Sequence, residues 1–279
     1  MPSSWVRGHS SKGYSRSASP QPFPLPDVRL DMTMRSHDEK TNGVLTFETL
    51  AGLLAGAKRE WPILLRLLLA ATAFWVFAEV AEDVAEGSTA AIDRALLLMM
   101  RDPNDASLML GPGWFQEMMR DFTGLGGFGI LFLATLSAIG FLLLEGKWHA
   151  ALLLLFAVLG GLLLSTLLKA GFDRPRPDLV PHGSIVTSAS FPSGHSTLSA
   201  VVYLTIGALI ARFRPNPRVK VYVLMLAAGV ALIVGASRVY LGVHWPTDVL
   251  AGWAIGSAWA LFCWFVALIL QRLGRVEQS

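Results

Sequence analysis

The sequence predicts an all-α, polytopic membrane protein with six transmembrane helices and both termini on the cytoplasmic side. Three observations predict it. Of the 279 residues, 53% are apolar and 15% charged, whereas soluble domains carry about 25% charged residues. The apolar residues are gathered into long blocks instead of being spread along the chain. Lys and Arg are shared unevenly between the segments that join those blocks, which is the pattern that orients a membrane protein.

Residues 1–45 are rich in Ser, Pro and charge and contain no apolar block. Such a segment buries too little apolar surface to fold, and it reads as a disordered cytoplasmic tail. It has no apolar h-region, so it is not a signal peptide. A membrane domain is expected over 46–272, with a short cytoplasmic tail at 273–279.

A helix needs about 20 apolar residues to cross the hydrocarbon core. Six stretches reach or approach that length: 61–80, 122–144, 150–168, 197–213, 219–236 and 249–270. Trp61, Trp148, Trp245 and Trp264 stand near several of their ends, as in an aromatic belt. Lys58, Arg59 and Arg66 precede or open the first stretch. Lys147 lies in the second connection, Arg212, Arg214, Arg218 and Lys220 in the fourth, and Arg272 and Arg275 after the last. These positions are expected to face the cytoplasm.

Between the first two spans, Glu79, Glu82, Asp83 and Glu86 share one helical face and read as a solvated helix end. Residues 91–100 and 114–119 mix apolar and polar types as interfacial helices do. Gly124, Gly126 and Gly129 spell GxGxxG, but a transmembrane helix follows where a βαβ unit is required, so they are read as glycines of close helix packing. Gly252 and Gly256 form a small-xxx-small pair suited to intramolecular contact. The net charge of +3 gives nucleic acid binding little support. Cys263, the single cysteine, rules out an internal disulfide and a Cys-based zinc site.

Three short pieces remain, all in the connections assigned to the outer face: Lys169 with Arg176-Pro177, Pro192-Ser193-Gly194-His195, and Ser237-Arg238 with His244 and Asp248. Their cations break the positive-inside pattern, which suggests a partner other than the membrane potential. A phosphate ester carries its charge on non-bridging oxygens, and the transition state of phosphoryl transfer spreads it over three equatorial positions. Guanidinium forks at Arg176 and Arg238 suit pairs of such oxygens, and Lys169 adds a point charge. Gly194 permits close backbone approach, and Ser193 and Gly194 stand where N–H groups at a helix start can meet an oxyanion. His244, four residues before Asp248, resembles a base whose tautomer is fixed by a carboxylate and whose other nitrogen is free to attack phosphorus. His195 is then placed to protonate the leaving oxygen.

With these residues in order, the chain resembles the type 2 phosphatidic acid phosphatase superfamily, whose pattern is K-x6-RP, PSGH and SR-x5-H-x3-D. Lys169, Arg176, Pro177, Pro192, Ser193, Gly194, His195, Ser237, Arg238, His244 and Asp248 match it at every position, over a motif core of 150–270. The resemblance implies a helical core and a phosphohistidine intermediate on His244. It further implies general acid catalysis by His195, orientation of His244 by Asp248, and a phosphate cradle from Lys169, Arg176, Ser193, Gly194 and Arg238. It implies no metal and no other cofactor, and no His, Asp or Glu cluster with ligand spacing stands near these loops. Arg174-Pro175 repeats the motif two residues early. Spacing from Lys169 selects Arg176 and leaves Arg174 to pair with Asp173 or to meet substrate. The loop holding Asp178, His182 and residues 184–190 reads as solvated, or as shaping a headgroup site.

The expected activity is hydrolysis of a lipid phosphate monoester or diphosphate at the outer face of a bacterial inner membrane. Its partners are the bilayer and a phosphorylated lipid; the sequence leaves the oligomeric state open. Phosphatidic acid, phosphatidylglycerol phosphate, undecaprenyl diphosphate and the phosphate of lipid A are all candidate substrates. A lipid phosphotransferase would use the same residues, whereas a non-catalytic lipid carrier or scaffold would be expected to lack one of the two histidines. Both are present.

Overall fold

In a computed structural model, the structure describes residues 47–180 and 188–272. They form eight helices: α1 Phe47–Glu86, α2 Ala90–Leu98, α3 Gly113–Leu125, α4 Phe128–Leu144, α5 Trp148–Gly171, α6 Gly194–Arg212, α7 Pro217–Tyr240 and α8 Pro246–Arg272. No strand occurs among the described residues; one isolated bridge pairs Arg101 with Met109. The tail expected at 1–45 and the short one at 273–279 lie outside the described residues.

Five segments are long and apolar enough to span a membrane: Ile63–Glu86, Trp148–Gly171, Gly194–Arg212, Pro217–Tyr240 and Pro246–Gln271. The sixth expected span, 122–144, is broken. Its first residues belong to α3, which meets α4 at a bend of 49°. The chain leaves the helical region at Gly127, with φ −71° and ψ 150°. Among the glycines read as packing residues here, only Gly126 meets a neighbour: a Cβ on it would lie 2.3 Å from Val234 and 3.3 Å from the ring of His195, whereas at Gly124 and Gly129 nothing lies within 4 Å. The break, not a straight helix, lets the chain approach α7 and the start of α6.

Helix α6 is central, packed against α5, α7 and α8. Small residues set those distances. A Cβ on Gly256 would stand 2.5 Å from the carbonyl oxygen of Thr197, and one on Gly252 2.8 Å from that of Ser193, so the pair serves contact within the chain. Across the other faces, Gly161 meets Val201 and Gly207 meets Ala227. In lipid no hydrophobic drive separates helix from solvent, so close backbone packing of this kind holds the bundle. Large apolar side chains point outward instead, among them Leu68, Phe74, Phe132, Leu163 and Met225. Helix α1 attaches through Phe77 and Ala81, which pack with Phe191, Ala251 and Ile255.

Consecutive spans run antiparallel, so the C-terminal ends of α5 and α7 and the N-terminal ends of α6 and α8 share one end of the bundle. Gly242, at φ 72°, makes the left-handed turn that returns the chain from α7 toward α8. Helices α2 and α3 cover this end. Phe115 of α3 packs edge-on against Tyr240 at 5.3 Å, and Tyr240 is buried, its hydroxyl donating to the carbonyl of Leu110 at 2.6 Å.

Candidate active site

The end of the bundle gathers the three sequence pieces into one cavity of about 350 Å³, lined by Lys169, Arg176, Gly194, His195, Arg238 and His244 together with Gly126, Phe128, Leu162, Ser165, Thr166, Ser188 and Leu198. Each motif residue reaches it from a helix terminus or the loop beside one. Lys169 stands in the last turn of α5. His195 is the second residue of α6, Arg238 lies in the last turn of α7, and His244 sits in the turn before α8.

The His244 ring is buried, with Asp248 and Ser190 beside Nδ1, the latter's Oγ at 3.4 Å, and Arg176 beside Nε2. Its Nδ1 lies 3.4 Å from Oδ2 of Asp248, and its Nε2 lies 3.2 Å from Nη1 of Arg176. A carboxylate accepts and a guanidinium donates, so this pairing puts the ring proton on Nδ1 and the lone pair on Nε2. Burial lowers the His244 pKa to about 4, with Asp248 opposing the shift. The imidazole is therefore neutral at pH 7, the form a nucleophile needs. The Asp248 carboxylate has no contact with solvent, and it is saturated with donors: Arg174 Nη1 on Oδ1 at 2.7 Å, and the Trp245 N–H at 2.9 Å and the Ser190 hydroxyl on Oδ2. A buried carboxylate without such partners would be costly.

The cations are held by backbone and hydroxyl oxygens. Lys169 Nζ donates to Ala189 O at 2.6 Å. Arg176 donates from Nε to Ser188 O at 2.8 Å and from Nη1 to Val243 O at 2.6 Å, and burial lowers its pKa. Arg238 Nη1 donates to Thr123 Oγ1 at 2.9 Å, leaving its buried Nε without a protein partner among the described residues. Ser193 is set back from the cavity: its N–H donates to Asp248 O at 3.0 Å and its Oγ caps α6 by accepting from Ser196 N. The expectation that its N–H faces an oxyanion is corrected on that ground, and Gly194 is left as the backbone element on the wall.

Several participants were not anticipated. Arg174 does not pair with Asp173. It bridges Asp248 and Asp93 of α2, at 2.7 Å to each, and Asp93 also accepts from the N–H of Thr247 at 2.9 Å and from its hydroxyl at 2.6 Å. Ser190, read as part of a solvated loop, is fully buried beneath Asp248. His182 lies outside the described residues. Thr123 and Asp93 stand before the motif core, where nothing in the local pattern marks them. Among the described residues no group of three or more His, Cys, Asp and Glu is placed to hold a metal ion.

Along α4, α5 and α6 an apolar groove of about 280 Å³ runs away from the cavity, lined by Phe132, Leu136, Leu155 and Leu159 and sharing Phe128, Leu162 and Leu198 with it. A polar, cationic chamber thus opens beside a channel of hydrocarbon side chains.

The family profile described as the PAP2 superfamily matches residues 150–271. Phosphatidylglycerophosphatase B of Bacillus subtilis (strain 168) is 38% identical over 156 residues, 54% of this chain and 74% of that protein. The chain belongs to the PAP2 superfamily. A crystal structure of a transmembrane PAP2 type phosphatidylglycerolphosphate phosphatase from Bacillus subtilis superposes with a TM-score of 0.60 at 30% identity, covering 74% of this chain and 98% of that one. A lipid A 1-phosphatase of Rhizobium johnstonii is 33% identical over 169 residues, 57% of this chain and 62% of its own length. As a PAP2 superfamily member with five to six candidate spans, the chain is an integral membrane phosphatase.

Proposed function

We propose that this PAP2 phosphatase hydrolyses a lipid phosphate monoester or diphosphate through a phosphohistidine on His244, with its cavity on the extracytoplasmic face of a bacterial inner membrane. The observation that carries the reading is the His244 ring, its Nε2 turned to the cation-lined cavity and its Nδ1 to Asp248. Phosphate oxygens would take the place beside Arg176, Lys169 and Arg238, with Gly194 admitting them closely. Nε2 attacks phosphorus, the bond from phosphorus to the lipid oxygen breaks, and His195 passes its proton to that oxygen. Water then attacks the phosphohistidine, His195 accepts a proton from it, and phosphate leaves with Nε2 restored. The three cations carry the charge that builds on the equatorial oxygens, whereby the chain's own residues neutralise it.

The apolar groove beside the cavity supports a lipid as substrate, since it offers hydrocarbon surface to an acyl or prenyl chain whose headgroup phosphate sits among the cations. Relatives named phosphatidylglycerophosphatase, lipid A 1-phosphatase and undecaprenyl-diphosphatase set the panel: phosphatidylglycerol phosphate first, then phosphatidic acid, lipid A and undecaprenyl diphosphate. The catalytic domain on this reading is 46–272, with cytoplasmic tails on both sides. The purified protein in detergent, given each lipid in turn, is expected to release inorganic phosphate from at least one; phosphate appearing only on another lipid would make the protein a transferase, and none from any would overturn the reading.

A further inference from the structure

Helix α2 lies outside the segment that carries the family motifs, yet its Asp93 is completely buried against that segment. Its two carboxylate oxygens are committed to Thr247 N at 2.9 Å, Thr247 Oγ1 at 2.6 Å and Arg174 Nη2 at 2.7 Å. Arg174 is in turn shared: its other terminal nitrogen donates to Asp248 Oδ1 at 2.7 Å and to Thr247 Oγ1 at 2.8 Å. The result is a continuous chain from Asp93 through Arg174 to Asp248 and on to Nδ1 of His244. Thr247 is adjacent to Asp248 in the first turn of α8, so Asp93 grips the same turn by its backbone. We propose that Asp93 and Arg174 are positioning residues for the phosphatase reaction, orienting the Asp248 carboxylate and setting the charge that His244 senses; the inference rests on the proposed role of His244 as nucleophile.

The physical reason for two residues in place of one is balance. Asp248 alone beside the imidazole would favour its protonated form, which cannot attack phosphorus. Arg174 on the far oxygen neutralises that charge and fixes the carboxylate so that Oδ2 stays turned to Nδ1. With Asp248 and Arg174 cancelling one another, Arg176, Arg238 and Lys169 around the cavity would leave the surroundings of His244 strongly positive; Asp93 adds a further negative charge behind Arg174. The charged and titratable groups facing His244 are Asp248 of α8, Arg176 of the loop after α5, Arg238 of α7, and, across the cavity, Lys169 of α5 and His195 of α6. Arg174 and Asp93 touch neither His244 nor the cavity and act through Asp248.

The test is the pH profile of kcat/KM for p-nitrophenyl phosphate, measured on the full-length protein in detergent with Arg174→Gln, Arg174→Lys and Asp93→Asn. Arg174→Gln is expected to lower kcat by about tenfold to hundredfold, the size of loss seen for outer-shell orienting partners, and to move the acid limb to higher pH by about half a unit or more, because an uncompensated Asp248 favours imidazolium. Arg174→Lys keeps the charge and is expected to return the limb toward the parent. Asp93→Asn retains an oxygen for the Thr247 N–H, so it is the variant expected to fold if Arg174→Gln does not, and its limb is expected to move the opposite way. Substrate ionisation is common to all of them. Opposite displacements cannot arise from partial unfolding, which lowers amplitude without moving a pH limb. Limbs that coincide with the parent's, whatever kcat does, would overturn the inference. His244→Ala decides the underlying reading separately: an active His244→Ala sinks the nucleophile, while an inactive one with unmoved limbs in the other variants sinks only this proposal.

Discussion

At the residue scale the two histidines divide the work by what surrounds them. His244 has both ring nitrogens engaged, one by a carboxylate and one by a guanidinium, and His244→Ala is expected to abolish turnover of every ester because no other group is aimed at phosphorus. His195 lies across the cavity without that carboxylate. As general acid its importance grows with the basicity of the leaving group. In single turnover, His195→Ala is expected to lose far more rate on a lipid monoester than on p-nitrophenyl phosphate, and to accumulate an acid-labile phosphohistidine with the latter. Equal losses on the two esters would exchange or cancel these roles. A second prediction concerns stability. The His244 pKa falls from 6.5 to about 4 on folding, so the unfolded chain binds the extra proton more readily. Stability is then lost as pH falls from about 6.5 toward 4. The melting temperature in detergent is expected to drop across that window, and the drop to shrink in His244→Gln; an unchanged slope would show that the ring does not titrate with folding.

At the scale of elements, the contact between α6 and α8 holds both histidines' helix termini in register. Gly256→Ala would press a methyl group against the Thr197 carbonyl at 2.5 Å and Ala200 at 3.0 Å. Backbone cannot yield as a flexible side chain does, so a cost of about 1–3 kcal/mol is expected, read as a lower melting temperature with activity reduced in parallel. Gly229→Ala in α7, where nothing lies within 4 Å, is the control and is expected to be neutral or mildly stabilising. The helices themselves were legible from the sequence because each apolar block is continuous and long. The bend between α3 and α4 was not, since it falls where Gly126 packs closely against Val234 and His195, residues far along the chain. The site divides the same way. Lys169, Arg176, His195, Arg238 and His244 were legible from spacing and converge on the cavity. Asp93 was hidden because its partner Arg174 is 81 residues away, and a single acid in an amphipathic stretch looks like surface. Ser193 misled for a related reason: a serine before a helix both caps and offers an N–H, and only the fold reveals that Asp248 takes the latter.

For the whole molecule, the end bearing α2, α3 and the cavity is opposite the end bearing Lys147, Arg214, Arg218 and Lys220. On the proposed orientation, which follows the positive-inside pattern, the second end faces the cytoplasm. Single cysteines at Asn104 and Pro215, both exposed and at opposite ends, in a Cys263→Ala background, test it. An impermeant thiol reagent added to intact cells is expected to label position 104 alone; labelling of 215 alone would invert the protein in the bilayer. Asn104 suits this better than Ser188, whose hydroxyl and carbonyl hold Arg176.

The bridge from Asp93 to Arg174 also bears on how such proteins can be recombined. A chimera joined at the turn between α4 and α5 takes its motifs from one parent and its first four helices from another. Arg174 and its counter-carboxylate would then come from different sources. Unless the donor of α2 supplies an acid in register with Asp93, the hybrid carries every motif residue and still leaves the part-buried Arg174 guanidinium with only Asp248 of its two carboxylates. Modular inheritance of this fold is thus constrained by one ion pair that straddles the junction.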